Sequence, residues 1–228
     1  MPRTRRHAPG RIVYHVLNRG NAQDRIFEDD GDFLSFEKVL AQAHDRVDTR
    51  LLSYCIMPNH WHLVLWPRRD GDLTAFMYWL TLTHTTRWHA HRHSVGTGHL
   101  YQGRYKSFPV ETDDHYLAVC RYVERNALRA NLVDRAEKWR WSSMWRRANP
   151  KQGTPPDAPL LYDWPVDRPR NWVSRVNQSE SQAELESIRL SVKRGRPYGP
   201  QSWQKRMAKR MGLESTFRDR GRPRKKAK

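Results

Sequence analysis

Two short motifs in the chain contain residue types that can carry out chemistry. The first is His60-Trp61-His62, in which the two histidines are two residues apart. In a strand, both imidazoles would point to one face of the sheet and Trp61 to the other. Two imidazoles on one face can bind one divalent metal ion, although an isolated pair of this kind is also typical of partly exposed strand histidines.

The second motif lies in the segment 113–130, which is predicted to be helical. Tyr122, Asn126 and Arg129 follow one another at about one helical turn, so they share one face of this helix. That face lies beside a stripe of apolar residues whose spacing is typical of a buried helix surface. A tyrosine outside such a stripe is, by itself, typical of an exposed side chain. The stripe consists of Tyr116, Val119, Cys120, Val123 and Ala127.

Together the two motifs describe the cleavage of a phosphodiester. A tyrosine hydroxyl can act as a nucleophile and form a covalent intermediate. Two histidines and the Asn126 amide can hold Mg²⁺ or Mn²⁺ and leave positions open for phosphate oxygens. Attack by Tyr122 on phosphorus would form a 5′-phosphotyrosine link and release a 3′-hydroxyl, which can reverse the step on another strand.

Neighbouring residues offer alternatives to this arrangement. Tyr101 and Tyr105 are the other candidate nucleophiles, but neither shares a helix face with an amide ligand. Cys55, His60 and His62 could instead form a zinc site, although a turn separates Cys55 from His60 and the only other cysteine is far along the chain. The chain contains no GxxxxGK[ST] phosphate loop, which argues against a nucleotide-driven motor.

The elements that must position these residues alternate in the order β-α-β-β-α-β. Apolar spacing predicts strands over 11–18, 51–57, 60–66 and 103–110, and helices over 30–46, 72–92 and 113–130. This order is that of an α+β, ferredoxin-like domain with an antiparallel sheet, followed here by an additional helix that carries Tyr122.

The composition is strongly basic and predicts a nucleic-acid partner. The chain of 228 residues contains 42 Lys and Arg against 24 Asp and Glu, a formal net charge of +18. Much of the excess lies in residues 189–228, with fifteen basic and two acidic side chains. A chain with this balance is suited to neutralising phosphates.

Composition also divides the chain into four parts. We expect a basic N-terminal arm over 1–10, a catalytic domain over 11–148, a Pro-rich linker over 149–178 and a basic C-terminal DNA-binding extension over 179–228. Within the extension, helices are expected over 180–193 and from an N-cap at Ser202 to Gly212. Its Gly-Arg-Pro segments, 195–197 and 221–223, are of a type that can lay arginine into a narrow minor groove.

Basic side chains beside the two motifs and in the extension are the candidates for DNA contact. Lysine and arginine neutralise phosphates, and neighbouring aromatic residues can stack on unpaired bases. The candidates are Arg104, Lys106, Arg121, Arg125, Arg129, Arg196, Arg222 and Arg224.

Four segments resemble the REP-associated tyrosine transposases, which are single-tyrosine HUH transposases, U being a hydrophobic residue. The segments are MPNHWHLVL (57–65), GHLYQGRYKSFPVE (98–111), YLAVCRYVERNALRANLV (116–133) and WRWSS (139–143). The resemblance implies that His60 and His62 are metal ligands, that Tyr122 is the nucleophile and that Asn126 is a third, amide ligand. It further implies a ferredoxin-like fold and cleavage of single-stranded DNA beside a short imperfect hairpin, usually a repetitive extragenic palindrome (REP).

One departure from the family pattern lies after the nucleophile. Where the family usually has Asn-Pro-Val-Arg-Ala, this chain has Asn-Ala-Leu-Arg-Ala over 126–130. Without the proline, the helix is expected to run on through Ala127. Tyr122 and Asn126 precede the change, so we expect the site to be competent.

Two other functions stay open on the sequence. One is a domesticated protein that binds DNA hairpins without cutting them, and the other is a replication initiator or relaxase with the same HUH chemistry. The chain has no apolar run of about 20 residues and no signal-peptide core. We therefore expect a cytoplasmic, nucleoid-associated protein without a membrane partner, as a monomer or a dimer.

Overall fold

A four-stranded antiparallel sheet forms the centre of the fold. The structure is a computed structural model that describes residues 8–150 and 157–218. The strands are β1 (Val13–Arg19), β2 (Thr49–Met57), β3 (His60–Pro67) and β4 (Lys106–Val110), in the order β2-β3-β1-β4. Every neighbouring pair is antiparallel, which confirms the predicted α+β class with its antiparallel sheet.

Helices follow the strands in the predicted order and continue beyond the sheet. They are α1 (Asp30–Arg46), α2 (Asp72–His91), α3 (Asp114–Glu124), α4 (Asn126–Arg129), α5 (Ser143–Ala148), α6 (Trp172–Asn177), α7 (Gln182–Arg194) and α8 (Gln201–Met211). Short 3₁₀ helices occupy Asn21–Gln23, Ala136–Lys138 and Glu214–Phe217. No helix among the described residues has the length and apolar character needed to span a membrane.

The alternation of side chains along β3 divides the core into two clusters. Trp61, Leu63 and Leu65 pack on one face of the sheet with apolar residues of α1 and α2. Val64 packs on the other face with residues of α3. Because successive side chains of a strand point to opposite faces, His60 and His62 lie on the α3 face.

The helix predicted over 113–130 consists of two consecutive helices that meet at Arg125. The N–H of Arg125 donates to the Arg121 carbonyl, and the N–H of Arg129 donates to the Arg125 carbonyl, both at 2.9 Å. These bonds keep the helical path through the junction, where Arg125 has φ −83° and ψ −3°. Tyr122 and Asn126 therefore remain about one turn apart, as predicted.

The start of the last predicted helix differs from the expectation. Pro200, in an extended conformation, precedes the first turn of α8, and the N–H of Gln204 donates to its carbonyl at 2.9 Å. Ser202 therefore lies inside the helix and is not its N-cap. The predicted end is confirmed, because Gly212 has a φ of 66°, a conformation that favours glycine.

Segments after residue 148 pack against the sheet domain. Trp172, within the predicted linker, is 4% exposed and donates from Nε1 to the buried Glu124 carboxylate at 2.7 Å. Met207 and Met211 of α8 join the cluster of α1 and α2. The division of the chain into arm, domain, linker and extension stays a prediction, and residues 1–7, 151–156 and 219–228 lie outside the described part.

A buried histidine is expected to make the stability of this fold depend on pH. Nδ1 of His84 forms a hydrogen bond of 2.6 Å with the hydroxyl of Tyr101, and burial lowers the pKa of His84 to about 3. Below pH 6.5 the unfolded chain takes up a proton at His84 that the folded chain does not, so the free energy of unfolding falls as the pH falls from 6.5 towards 3.

Between pH 7 and pH 5, His84 alone should lower the free energy of unfolding by about 2 kcal/mol. Urea unfolding at the two pH values measures the loss. The neutral variant His84→Gln should lose about 2 kcal/mol less than the wild type over the same interval. Equal losses in both proteins would contradict the assignment.

Candidate active site

The two histidines of the first motif lie at the beginning of β3, beside the hairpin turn. The centroids of the His60 and His62 rings are 5.1 Å apart, with an angle of 81° between the ring planes. Across the sheet, His60 pairs with Arg19 and His62 with Leu17 of β1. The predicted convergence of the two imidazoles on one face is therefore present.

Helix α3 brings Tyr122 onto these histidines. Its ring centroid is 5.8 Å from that of His62, nearly perpendicular to it. The side chain is 8% exposed, so it is not the surface tyrosine that its position outside the apolar stripe could also have indicated. The nucleophile candidate and the histidine pair thus meet within one chain.

Asn126 lies one turn after Tyr122 and is also buried. Its Nδ2 has no hydrogen-bond partner among the described residues. The next residue, Ala127, interacts through its backbone with the thiol of Cys55, and Cys55 is the cross-strand partner of His62. The start of α4 therefore adjoins the strand pair that carries the histidines.

Asn59, in the hairpin turn, determines which nitrogen of His60 carries the proton. Its amide Nδ2 donates to the carbonyl of Gln23 at 3.1 Å, which fixes the orientation of the amide. Its Oδ1 then accepts from Nδ1 of His60 at 2.6 Å. Because Oδ1 can only accept, Nδ1 holds the proton and Nε2 of His60 has a free lone pair.

His15 of β1 plays a similar part for His62, and the sequence reasoning did not identify it. Its Nε2 lies 2.9 Å from Nδ1 of His62, and the two rings stack at 5.0 Å. The signal was present in the alternation of β1, which places His15 on the opposite face from Tyr14 and Val16. Among the described residues, Nε2 of His62 has no hydrogen bond.

Burial keeps both imidazoles neutral. It lowers the pKa of His60 to about 4, with smaller contributions from the positive charges of Arg19 and Arg129. Burial likewise lowers the pKa of His62 well below its usual value, as do the neighbouring His15 and His60. His60, with Nδ1 engaged and Nε2 free, has the form that a metal ligand needs, and His62 takes the same form when its Nδ1 donates to Nε2 of His15.

The donor set fits a divalent cation held by two imidazoles and an amide. The described residues contain no group of three His, Cys, Asp or Glu side chains arranged for a metal. A third ligand at this site would therefore be of another type, and the side-chain oxygen of Asn126, at the start of the helix that adjoins the histidine strands, can serve as one. Such a set leaves coordination positions for phosphate oxygens.

Two arginines add positive charge to the site. The guanidinium carbon of Arg129 lies 4.2 Å from the Tyr122 ring centroid, and Nη2 donates to the Tyr122 carbonyl at 3.1 Å. Arg129 also forms an ion pair of 2.7 Å with the buried Glu180, which holds the guanidinium in place. Arg19, opposite His60, is a second cation that the sequence reasoning did not assign to the site.

Arg121 and Arg125, predicted to contact DNA, instead bind the segment before α7. Arg121 donates to the carbonyls of Gln178 and Ser179, both at 2.8 Å. Arg125 forms an ion pair of 3.0 Å with Glu180. Contact with DNA would require both arginines to give up these bonds.

Lys106 and Arg104 lie towards the same end of the sheet as the histidines. Leu17 pairs with His62 on one side and with Lys106 on the other, so Lys106 shares the face of His62 at a distance of about 10 Å, two strand spacings. Arg104 is exposed in the segment that precedes β4. Both positions suit contact with a phosphate chain at the site.

The remaining DNA candidates lie in the extension. Arg196 is half-buried, with its guanidinium carbon 4.0 Å from the Phe217 ring centroid. The next segment pairs with the edge of the sheet, where the N–H of Tyr198 donates to the carbonyl of Pro109 at 2.9 Å. The first Gly-Arg-Pro segment thus lies against the protein, and Arg222 and Arg224 lie outside the described residues.

The alternative sites lack support in the geometry. Tyr101 is buried in the cluster on the other face of the sheet, where its hydroxyl accepts from Nε1 of Trp61 at 3.0 Å. Tyr105 packs against the same cluster. Burial raises the pKa of Cys55 to about 12, which disfavours the thiolate that a zinc site would need.

Comparison with known families decides the class of the protein. A family model for IS200-like transposases matches residues 10–126, just over half of the chain. The chain belongs to the IS200-like transposase family. The matched region spans the four strands, both histidines, Tyr122 and Asn126, and the family-level prediction from the sequence is confirmed.

One solved structure agrees with this IS200-like transposase in fold. A REP-associated tyrosine transposase bound to a REP hairpin is 16% identical to it, with a TM-score of 0.51 over 74% of this chain and 98% of the other. A proposed transposase from Deinococcus radiodurans R1 is 18% identical, with a TM-score of 0.38 over 54% of this chain and 96% of the other. No curated protein matches the chain.

Replacing Asn59 is expected to lower the affinity for Mn²⁺ while leaving both histidines in place. In Asn59→Ala, His60 loses the acceptor that fixes its tautomer, and Mn²⁺ affinity should fall by about 10- to 100-fold. In Asn59→Asp, a carboxylate still accepts from Nδ1, so most of the affinity should remain. Titration calorimetry with Mn²⁺ measures both variants, and equal losses in the two would contradict a role for the acceptor.

Proposed function

We propose that this IS200-like transposase is a metal-dependent endonuclease and strand transferase. It cleaves and rejoins single-stranded DNA at REP-like hairpins through a 5′-phosphotyrosine intermediate. The observation that carries the proposal is the Tyr122 ring at 5.8 Å from His62 of the same chain, beside two neutral histidines. The hairpin substrate is supported by the likeness in fold to a transposase bound to a REP hairpin.

His60, His62 and Asn126 would hold the divalent metal, Mg²⁺ or Mn²⁺. When bound, the metal supplies charge that neutralises the oxygens of the scissile phosphate and makes phosphorus more open to attack. The protein contributes fixed ligand orientation, because Asn59 and His15 hold Nδ1 of the two rings. These contacts hold both rings on the face of the sheet that Tyr122 covers.

Tyr122 is the nucleophile in this proposal. Its hydroxyl gives up its proton and bonds to phosphorus while the bond from phosphorus to the 3′ oxygen breaks, and the departing oxygen takes up a proton to become a 3′-hydroxyl. The phosphodiester energy is retained in the tyrosine ester, so a 3′-hydroxyl can attack it and rejoin the strand. Arg129 holds the ring and places a positive charge beside the reacting phosphate.

Binding of the DNA is assigned to basic side chains around the site and in the extension. Lys106 shares the face of the histidines, and Arg104 lies at the same end of the sheet. The proposed contacts are Arg104, Lys106, Arg196, Arg222 and Arg224, while Arg129 is held beside Tyr122 by its ion pair with Glu180. A chain with this function would act in the cytoplasm, on the nucleoid.

A labelled REP-like hairpin with a single-stranded flank tests the proposed function. With Mn²⁺ or Mg²⁺, the wild type should form a protein–DNA adduct that survives a denaturing gel, and chelation of the metal should prevent it. A complex that forms equally with and without metal, and never gives an adduct, would support hairpin binding without cleavage instead.

A further inference from the structure

Five arginines from separate parts of the chain gather at one end of the sheet, away from the histidines. They line two adjoining concavities, of about 470 and 590 Å³, that share Arg11, Arg68 and Arg69. Arg210 of α8 lines the first, and Arg50 of β2 lines the second. These five residues form what we call the strand-end basic surface.

The strand-end basic surface is separate from the candidate active site. His60 begins β3 and Pro67 ends it, so the strand of eight residues places the two ends about 23 Å apart. Arg68 and Arg69 follow directly after Pro67, and the backbone N–H of Arg11 donates to the Pro67 carbonyl at 2.8 Å. None of the five arginines was among the sequence-based candidates for DNA contact.

The positive charge on this surface exceeds the negative charge, because five arginines face two carboxylates, Asp48 and Asp70. Arg68 forms an exposed ion pair with Asp48 at 3.2 Å. The side chains of Arg11, Arg69 and Arg210 are exposed and form no ion pair or hydrogen bond within the described residues. Arg121, Arg125 and Arg129 have the opposite character, since each is bound to carbonyls or carboxylates of the protein.

The backbone under these arginines is held in a fixed arrangement. The N–H of Gly10 donates to Oδ1 of Asp70 at 2.7 Å, and a Cβ at Gly10 would lie 2.4 Å from the carbonyl carbon of Arg69. Arg11 has a φ of 59°, which costs a residue with a side chain on the order of 1 kcal/mol. The two loops are therefore packed so closely that the arginines project from a rigid base.

An aromatic side chain extends the surface. The guanidinium carbon of Arg50 lies 4.6 Å from the ring centroid of the half-buried Trp66. Stacking on the ring leaves the N–H donors at the edge of the guanidinium free, and these donors match the oxygens of a phosphate. The arrangement favours a chain of phosphates over a single small anion, because the cations are spread over two adjoining concavities.

We propose that the strand-end basic surface binds the phosphate backbone of the DNA substrate, about 20 Å from the histidines. The contact supplies affinity and takes no part in bond cleavage. This inference rests on the proposed function only in taking DNA as the ligand. A duplex stem of about seven base pairs would bridge the distance from the cleavage site, at a rise of about 3.4 Å per pair.

Salt dependence of binding tests the inference. The probe is a fluorescent DNA hairpin with a stem of about 12 base pairs, and Tyr122→Phe is present throughout so that no cleavage occurs. Fluorescence anisotropy gives Kd from about 50 to 200 mM KCl without metal. In Arg11→Ala/Arg69→Ala/Arg210→Ala, the slope of log Kd against log salt should fall by roughly 2 to 3, and affinity at low salt by at least about tenfold.

A matched control removes the same charge elsewhere. Arg87, Arg170 and Arg189 are exposed and lie outside the surface, so their triple alanine variant should keep most of the slope. Equal slopes in the two triple variants, or a wild-type slope in both, would overturn the inference. Adduct formation is measured separately, with the wild-type protein. Absence of the adduct there rejects the proposed function and does not affect the result on DNA binding.

Discussion

Tyr122→Phe is expected to abolish the covalent protein–DNA adduct. Phenylalanine keeps the ring that packs against His62 and under Arg129, so the site should retain its shape. It lacks the oxygen that would bond to phosphorus, and cleavage should fall by at least about 10³-fold. The measurement is the fraction of labelled hairpin that becomes protein-bound on a denaturing gel with Mn²⁺.

Two controls separate this result from general damage. Tyr78→Phe removes an exposed hydroxyl on α2 and should leave the adduct in place. Because Tyr122 contacts the histidines of its own chain, mixing Tyr122→Phe with a His60→Ala protein should not restore adduct formation. An undiminished adduct in Tyr122→Phe would remove this tyrosine from the mechanism, and recovery on mixing would show that the site is shared between chains.

His60→Ala is expected to abolish metal-dependent cleavage for a different reason. The substitution removes one of two neutral imidazoles, and the remaining His62 and Asn126 cannot hold Mn²⁺ at ordinary concentrations. Mn²⁺ affinity should fall by at least about 100-fold and cleavage by at least about 10³-fold. Titration calorimetry and the adduct assay measure the two effects in the same preparation.

A matched variant is available for this prediction as well. His91, in the last turn of α2, is exposed, and His91→Ala should bind Mn²⁺ and form the adduct as the wild type does. DNA affinity measured without metal should be similar in all three proteins, since His60 is neutral and contributes no charge to phosphate binding. Cleavage by His60→Ala at the wild-type rate would show that His60 is not a required ligand.

Local periodicity was enough to predict the main elements of the domain. The alternation around His60 correctly placed Trp61 and the histidines on opposite faces, because a strand has a side-chain period of two. The helical spacing of Tyr122 and Asn126 survived the junction at Arg125, since the backbone bonds continue through it. Element ends were less accurate, as at Ser202, where the preceding proline begins the helix earlier.

Contacts between residues far apart in the chain could not be predicted from the sequence. In the sequence, Arg121 and Arg125 look like arginines that contact DNA. The structure shows that they bind the segment around Glu180. His15 and Arg19 are 45 and 41 residues from His60 in sequence, and only strand pairing brings them to the site. No local pattern reports which cations are already paired.

The sequence by itself determined the residue types of the site, their helix and strand faces, and the excess of positive charge. These properties follow from the chain's own periodicity and composition, which do not depend on how the elements pack. Tertiary structure alone decided that Tyr122 meets the histidines of its own chain, which nitrogens of those histidines are free, and which arginines are available. Each of these depends on hydrogen bonds and ion pairs between residues far apart in sequence, and such pairs exist only after the sheet and its helices have assembled.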